Sequence, residues 1–308
     1  MLTKKGSAAA AVSILDKRRL QAIGILLRIK LKSVTFLPGR HPLGRPGEGF
    51  RFLRTRPYEP GEDKPRDIDK FSLPGAYWVN EWEAEVRASV LLLCDYSASM
   101  AFLPKDTVRN LSLLQLTYSL WRASDRVRAI LYGKGDSEKF EERNLKTQME
   151  KLSQRLGEHA WSEGVEPLDA LKSFCLRSRG SRDDLIFLLS DFSPISSANA
   201  AQEQNATQEW RDVLRRLSGD LVPVIVSFKL SHDFTGTIKL WDPERHTQRL
   251  TLLSPERIDN INHKEMERVH KLESFFRSLG LDSLTVRHER DVYPQLAKLK
   301  GLRRRRRS

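Results

Sequence analysis

Short unbroken apolar runs alternate with stretches of helical periodicity along most of this chain. Val90–Cys94, Val127–Tyr132, Asp184–Ser190 and Leu221–Lys229 are brief, rich in Val, Ile and Leu, and bounded by polar residues. Such runs suit strands covered on both faces better than helices. Between them lie amphipathic stretches. Asp106–Ala123 sets Val108, Leu111, Leu114, Tyr118 and Trp121 near one helical face, and Pro167–Arg177 does the same with Leu168, Leu171 and Phe174. Thr147–Leu156 and Thr207–Leu217 complete an alternation that predicts a parallel sheet with helices on both faces. The charged stretch 134–146 and the polar stretch 192–206 read as connections.

Towards the C-terminus the alternation breaks. Thr237–Trp241 and Thr247–Leu253 flank Asp242-Pro243-Glu244-Arg245, which predicts a hairpin added to the sheet edge. A helix over 263–279, a short strand Leu284–His288 and a helix Val292–Leu299 follow. Upstream of the first buried run, residues 13–32 place Leu15, Leu20, Ile23, Leu26 and Leu27 opposite a basic face. That helix suits packing on the main domain, or lying on a membrane surface. Residues 36–64, dense in Gly, Pro and Arg, predict short extended pieces and turns. Glu62, Asp63, Arg66, Asp67 and Asp69 are expected to pair with one another, and Trp78, Trp82 and Val86, spaced by four, lead into the first buried strand.

Charge changes the picture only at the ends. The chain has 308 residues and a net charge of +13, yet residues 1–56 hold thirteen Lys or Arg against Asp16 and Glu48, and Arg303–Arg307 add five more. The middle is slightly acidic, so any attraction to nucleic acid or an anionic membrane belongs to the ends. No apolar run approaches the roughly 18 residues that span a bilayer. The start MLTKKGSAAAAVSIL has a leader-like Lys pair and Ala run, but Asp16 to Arg19 follow at once, and the expectation is a mature cytoplasmic terminus. The two cysteines, Cys94 and Cys175, sit in apolar patterns and read as small core residues in a reducing compartment.

The candidate chemistry lies where the first buried run ends, in RASVLLLCDYSASM. Asp95, Ser97 and Ser99 put a carboxylate and two hydroxyls at alternate positions, at the strand end where open α/β sheets gather their ligands. Oxygen donors of this kind suit a hard cation such as Mg²⁺. The same residues equally suit a turn that caps the next helix. Asp191 closes a second buried run and would emerge on the same edge. Catalysis finds less support: the seven histidines are scattered, His263 and His270 lack the HExxH spacing, and no GxSxG elbow surrounds the serines.

The DxSxS pattern with a second acidic strand end resembles the metal-ion-dependent adhesion site of von Willebrand factor A domains. There the serines hold Mg²⁺, the aspartates act largely through water, and an acidic residue of the ligand completes the shell. More of the chain joins in. GEGFRFLRTRPYEPGEDKPRDID, NEWEAE, VLLLCDYSASM, LLSDFS and the LWDPE hairpin, in that order, resemble the bacterial family called domain of unknown function 58 over residues 20–302. That resemblance implies a cytoplasmic, non-enzymatic adaptor of a MoxR-type AAA+ ATPase, with a von Willebrand A-like (Rossmann-like) α/β fold. Two departures stand out. GEDKPRDIDK is one residue longer than the family's usual GDDxRxIDW and has Lys70 where Trp is usual. The threonine that completes the site should fall within Gly164-Val165-Glu166-Pro167, where only Glu166 has a coordinating side chain.

The expected organisation is therefore a basic N-terminal helix and Gly/Pro/Arg-rich extension over 1–86, packed on an α/β domain over 87–302, and an Arg-rich tail over 303–308. The expected metal set is Asp95, Ser97, Ser99, Asp191 and Glu166 with Mg²⁺ or Mn²⁺. The expected partners are the ATPase and a client bearing an acidic residue, with nucleic acid or a membrane surface as the alternative for the basic ends.

Overall fold

The computed structural model describes residues 38–86, 89–101, 104–122, 126–133, 137–158, 167–177, 185–193, 200–217, 220–242 and 247–305. The helix expected over 13–32, Glu166, the hairpin turn 243–246 and Arg306 and Arg307 lie outside the described residues.

Five buried runs form the body of one sheet. β3 (Ser89–Asp95), β4 (Arg126–Tyr132), β6 (Leu185–Ser190), β7 (Asp220–Val226) and β10 (Leu284–Val286) are mutually parallel in the order β10-β7-β6-β3-β4. β5 (Ser137–Phe140) adds an antiparallel edge beside β4, so the six-stranded sheet is mixed. Sequence patterning missed β5 because its Ser137, Glu138 and Lys139 are exposed, as suits a protected edge strand.

Each face of the sheet is covered by helices, because successive side chains of a strand point to opposite sides. Val90, Leu92 and Cys94 of β3 join one apolar cluster with α1 (Lys105–Arg122), α2 (Leu145–Gly157) and α6 (Val292–Arg305). Leu91 and Leu93 join the other, with α3 (Pro167–Arg177), α4 (Ala200–Arg216) and α5 (Pro255–Ser278). Leu92 and Leu93 are wholly buried, so truncating either to Ala would cost about 2–5 kcal/mol. α5 starts eight residues before the expected 263. Its cap explains why: the Ser254 side chain accepts from Arg257 N, and Pro255 occupies the first turn. α4 likewise begins inside the stretch expected to be a connection.

Two antiparallel ribbons stand apart from this sheet. β1 (Pro38–Pro57) pairs with β2 (Trp78–Val86), with register shifts where the Gly/Pro-rich text would otherwise break a strand. Short pieces and turns were the expectation, and one long irregular strand is the finding. The Trp78/Trp82 spacing of four fits a strand as well as a helix, because even spacings share a strand face. β8 (Gly236–Asp242) and β9 (Thr247–Leu253) form the expected hairpin, but as a two-stranded sheet of their own. The edge-hairpin expectation is corrected accordingly: β10 and β5 hold the two edges of the main sheet. Among the described residues no helix is long and apolar enough to cross a membrane.

Candidate functional site

The chain leaves β3 through α1 to its neighbour β4 on one side, then returns through α3 to β6 on the other side. The carboxyl ends of β3 and β6 therefore flank the topological switch point, where a crevice opens in sheets of this kind. Asp95 is the last residue of β3 and Asp191 the first after β6, so the structure brings the two acids together as expected. Ser97 and Ser99 lie in the turn after Asp95, with their hydroxyl oxygens 3.2 Å apart. Glu166, the remaining expected ligand, lies outside the described residues.

The two carboxylates have different surroundings. Asp95 is wholly buried; its Oδ2 accepts from the Ser190 hydroxyl at 2.6 Å and its Oδ1 from Ser97 N at 2.9 Å. Burial, and then the charge of Asp191, raise its pKa to about 6 against those hydrogen bonds. The turn reading of Asp95 is thus correct: its side chain closes the turn into a short 3-10 helix, Ala98–Ala101, and α1 begins only at Lys105. Asp191 is also buried, which by itself would raise its pKa. Lys105 and Arg268 outweigh that burial and hold it below the ordinary carboxylate range. Lys105 Nζ donates to Asp191 Oδ2 at 2.7 Å and to the Ser99 carbonyl at 3.1 Å. Arg268, on α5, donates to the Asp191 carbonyl and pairs with Glu265, which in turn accepts from Ser227 at the end of β7.

The backbone is bent to make this possible. Phe192 sits in the left-handed region at φ 54°, unusual for a bulky residue. Its ring is held edge-on against Trp210 and Phe276, at centroid distances of 5.2 and 4.8 Å. That packing fixes the turn after β6 and with it the direction of Asp191. Beside Asp95, Tyr96 is covered by the guanidinium groups of Arg109 and Arg155, 4.3 and 4.9 Å from its ring. Cys94 is a buried core residue, as expected, and burial pushes its thiol up to about 12.

In kind, these donors match what Mg²⁺ or Mn²⁺ takes, but Lys105 stands among them. A divalent ion about 4 Å from an ammonium meets a repulsion of about 8 kcal/mol at an effective dielectric constant of about 20. Among the described residues no group of three or more His, Cys, Asp or Glu could hold a metal. With Lys105 on Asp191 and the Ser99 carbonyl, the described members Asp95, Ser97, Ser99 and Asp191 fit an ammonium better than a divalent cation. Sequence reading missed Lys105, Ser190, Arg268 and Glu265. Lys105 did leave a signal: a lysine opening a helix opposes the helix dipole and calls for a nearby anion.

Comparison with known proteins adds little. No family model matches the chain, and no curated protein matches it. Among solved structures it is similar to the PilB minor pilin from Streptococcus sanguinis, at 10% identity and a TM-score of 0.35, and to that pilin's D319A mutant, at 10% identity and 0.38. Both matches cover 75% of this chain, which spans 66% of the pilin's length, just under two thirds. Scores so low assign no fold family. The expected von Willebrand A-like architecture is corrected to the coarser description the molecule supports: α/β class, a mixed six-stranded sheet between two helical layers, and two separate ribbons.

Proposed function

We propose that this chain is a non-enzymatic cytoplasmic interaction module, an adaptor of a MoxR-type AAA+ ATPase in the assembly or maturation of a protein complex. The surface that meets the partner is the carboxyl edge between β3 and β6. The observation that carries this reading is the partly exposed Ser99 at the rim, its hydroxyl against that of the buried Ser97 and its carbonyl held by the Lys105 ammonium. A hydroxyl at the rim, backed by the buried Lys105 ammonium, suits an acidic side chain of the ATPase or its client. The two hydroxyls bond to each other and the two carboxylates are held by Ser190, Ser97 and Lys105, which suits recognition better than proton transfer. The order of motifs that resembles domain of unknown function 58 supplies the ATPase as partner.

Biolayer interferometry with the purified ATPase and the Ser99→Glu variant tests the reading. A carboxylate placed on the rim should weaken binding by at least about tenfold, ~1.4 kcal/mol, with unchanged circular dichroism. Equal affinity of the variant and wild type would remove the edge from consideration, and absence of wild-type binding would remove the adaptor role.

The charged ends support a second reading, contact with nucleic acid or an anionic membrane surface. α6 runs on through Arg305, so the arginine run starts as an extension of a helix rather than as a loose tail. Binding of this kind would fall steeply with salt and be lost on deleting 303–308.

A further inference from the structure

We infer that Lys105 is the resident cation of the carboxyl edge: its ammonium occupies the place a divalent metal would take, and the position holds one cation at a time. Lysine is rarely buried without a partner, yet Lys105 is only 8% exposed, and its charge is aimed at a carboxylate 86 residues away. Its two acceptors, Asp191 Oδ2 and the Ser99 carbonyl, come from the two strand-end turns that carry the expected metal donors. The Phe228 ring lies 5.8 Å from the same nitrogen, an aromatic face that favours an ammonium. Among the described residues, the charged groups packed around the position fit one added positive charge. Asp191 faces Lys105, Asp95 lies behind the two serines, and Arg268 reaches Asp191 from α5 while paired with Glu265. Arg109 reaches the Asp95 carbonyl from α1. The chemical consequence is a site that keeps its charge when metal is withdrawn, and that admits Mg²⁺ or Mn²⁺ only when the lysine is removed. This inference concerns the cation alone and stands apart from whether the edge meets an ATPase.

The test is Mn²⁺ binding, followed by electron paramagnetic resonance, alongside thermal unfolding in EDTA and in up to about 1 mM MnCl₂. Metal bound only to the folded state raises the melting temperature by mass action. Wild type is expected to bind no Mn²⁺ and to melt at the same temperature in both conditions. Lys105→Ala is expected to melt lower in EDTA, to bind one Mn²⁺ per chain, and to recover part of the loss when it does. Adding Asp191→Asn to Lys105→Ala should abolish that binding. One Mn²⁺ per wild-type chain with a rise in melting temperature would overturn the inference. So would a folded Lys105→Ala that binds none, or that melts like wild type in EDTA, or a double variant that still binds. Should Lys105→Ala fail to fold, the wild-type titration decides alone, absence of bound Mn²⁺ upholding the inference and one bound ion ending it.

Discussion

Two regions of this molecule knit acids to bases, and they do so in different surroundings. On the β1–β2 ribbon, Arg56 bridges Asp63 and Glu81, and Arg54 joins Glu81 from the side. At the carboxyl edge, Lys105 holds Asp191, and Arg268 links it to Glu265. Counted by accessible area the two look alike: the Asp63 side chain is 10% exposed and that of Lys105 is also 10% exposed. The likeness is superficial. Asp63 is held by Arg56 and by the Glu59 backbone N–H, in the turn of a ribbon two strands wide. Asp191 is covered by a packed sheet and helices. Occlusion by a partner leaves a charge hydrated when that partner leaves, whereas enclosure by apolar matter does not.

Asp191→Asn should break the comparison most sharply. It strands the Lys105 ammonium in the interior, at a cost of about 3–5 kcal/mol and a fall in melting temperature on the order of 10 °C. A loss of only a degree or two by calorimetry would mean that water reaches the edge freely.

The next effect is in pH. A folded-state pKa raised to about 6 means that folded Asp95 takes up its proton before the unfolded chain does. The stability it contributes is complete below the unfolded value near 4 and is lost as pH rises through about 6. Asp191, held low, contributes the opposite way: its stability is present above the unfolded value and lost as pH falls through the lower folded one. Urea titrations from pH 4 to pH 7 should therefore slope downward in wild type, and Asp95→Asn should flatten that slope. An unchanged slope in Asp95→Asn would assign it to another group.

The smallest effect belongs to the ribbon. Arg56→Ala should leave the melting temperature within error in about 1 M salt, where screening reaches within ~3 Å, and should chiefly quicken amide exchange around 56–63. A large global loss would show that the ribbon is coupled to the core.

Much of this was legible in the amino-acid sequence. The buried strands could be read because both their faces are apolar, and Asp95 and Asp191 because each ends such a run. β5 was not, since an edge strand of Ser, Glu and Lys carries no apolar alternation. Nor was β1, whose prolines and glycines argue locally against the strand that pairing with β2 imposes. The partners of the acids were the least legible part. Asp63 was expected to find partners among the acidic and basic residues nearby, with Arg66 the cation of that group, and finds Arg56 across the turn. Asp191 draws on residues 86 and 77 positions distant, a choice set only when helices from both ends of the domain dock.

Those separations have a consequence for how the molecule is made. Ser190 reaches back 95 residues to Asp95, Lys105 reaches forward 86 to Asp191, and Arg268 closes the network from α5. During synthesis the edge cannot assemble until residue 268 has left the ribosome, long after β3 and β6 have begun to collapse. Contacts so remote in the chain are the slowest to form, because the ordering of every intervening loop precedes them. A partner that grips this edge would thus find it only on chains made beyond Arg268. The position of one arginine would let the cell tell a chain grown past α5 from one that has not reached it.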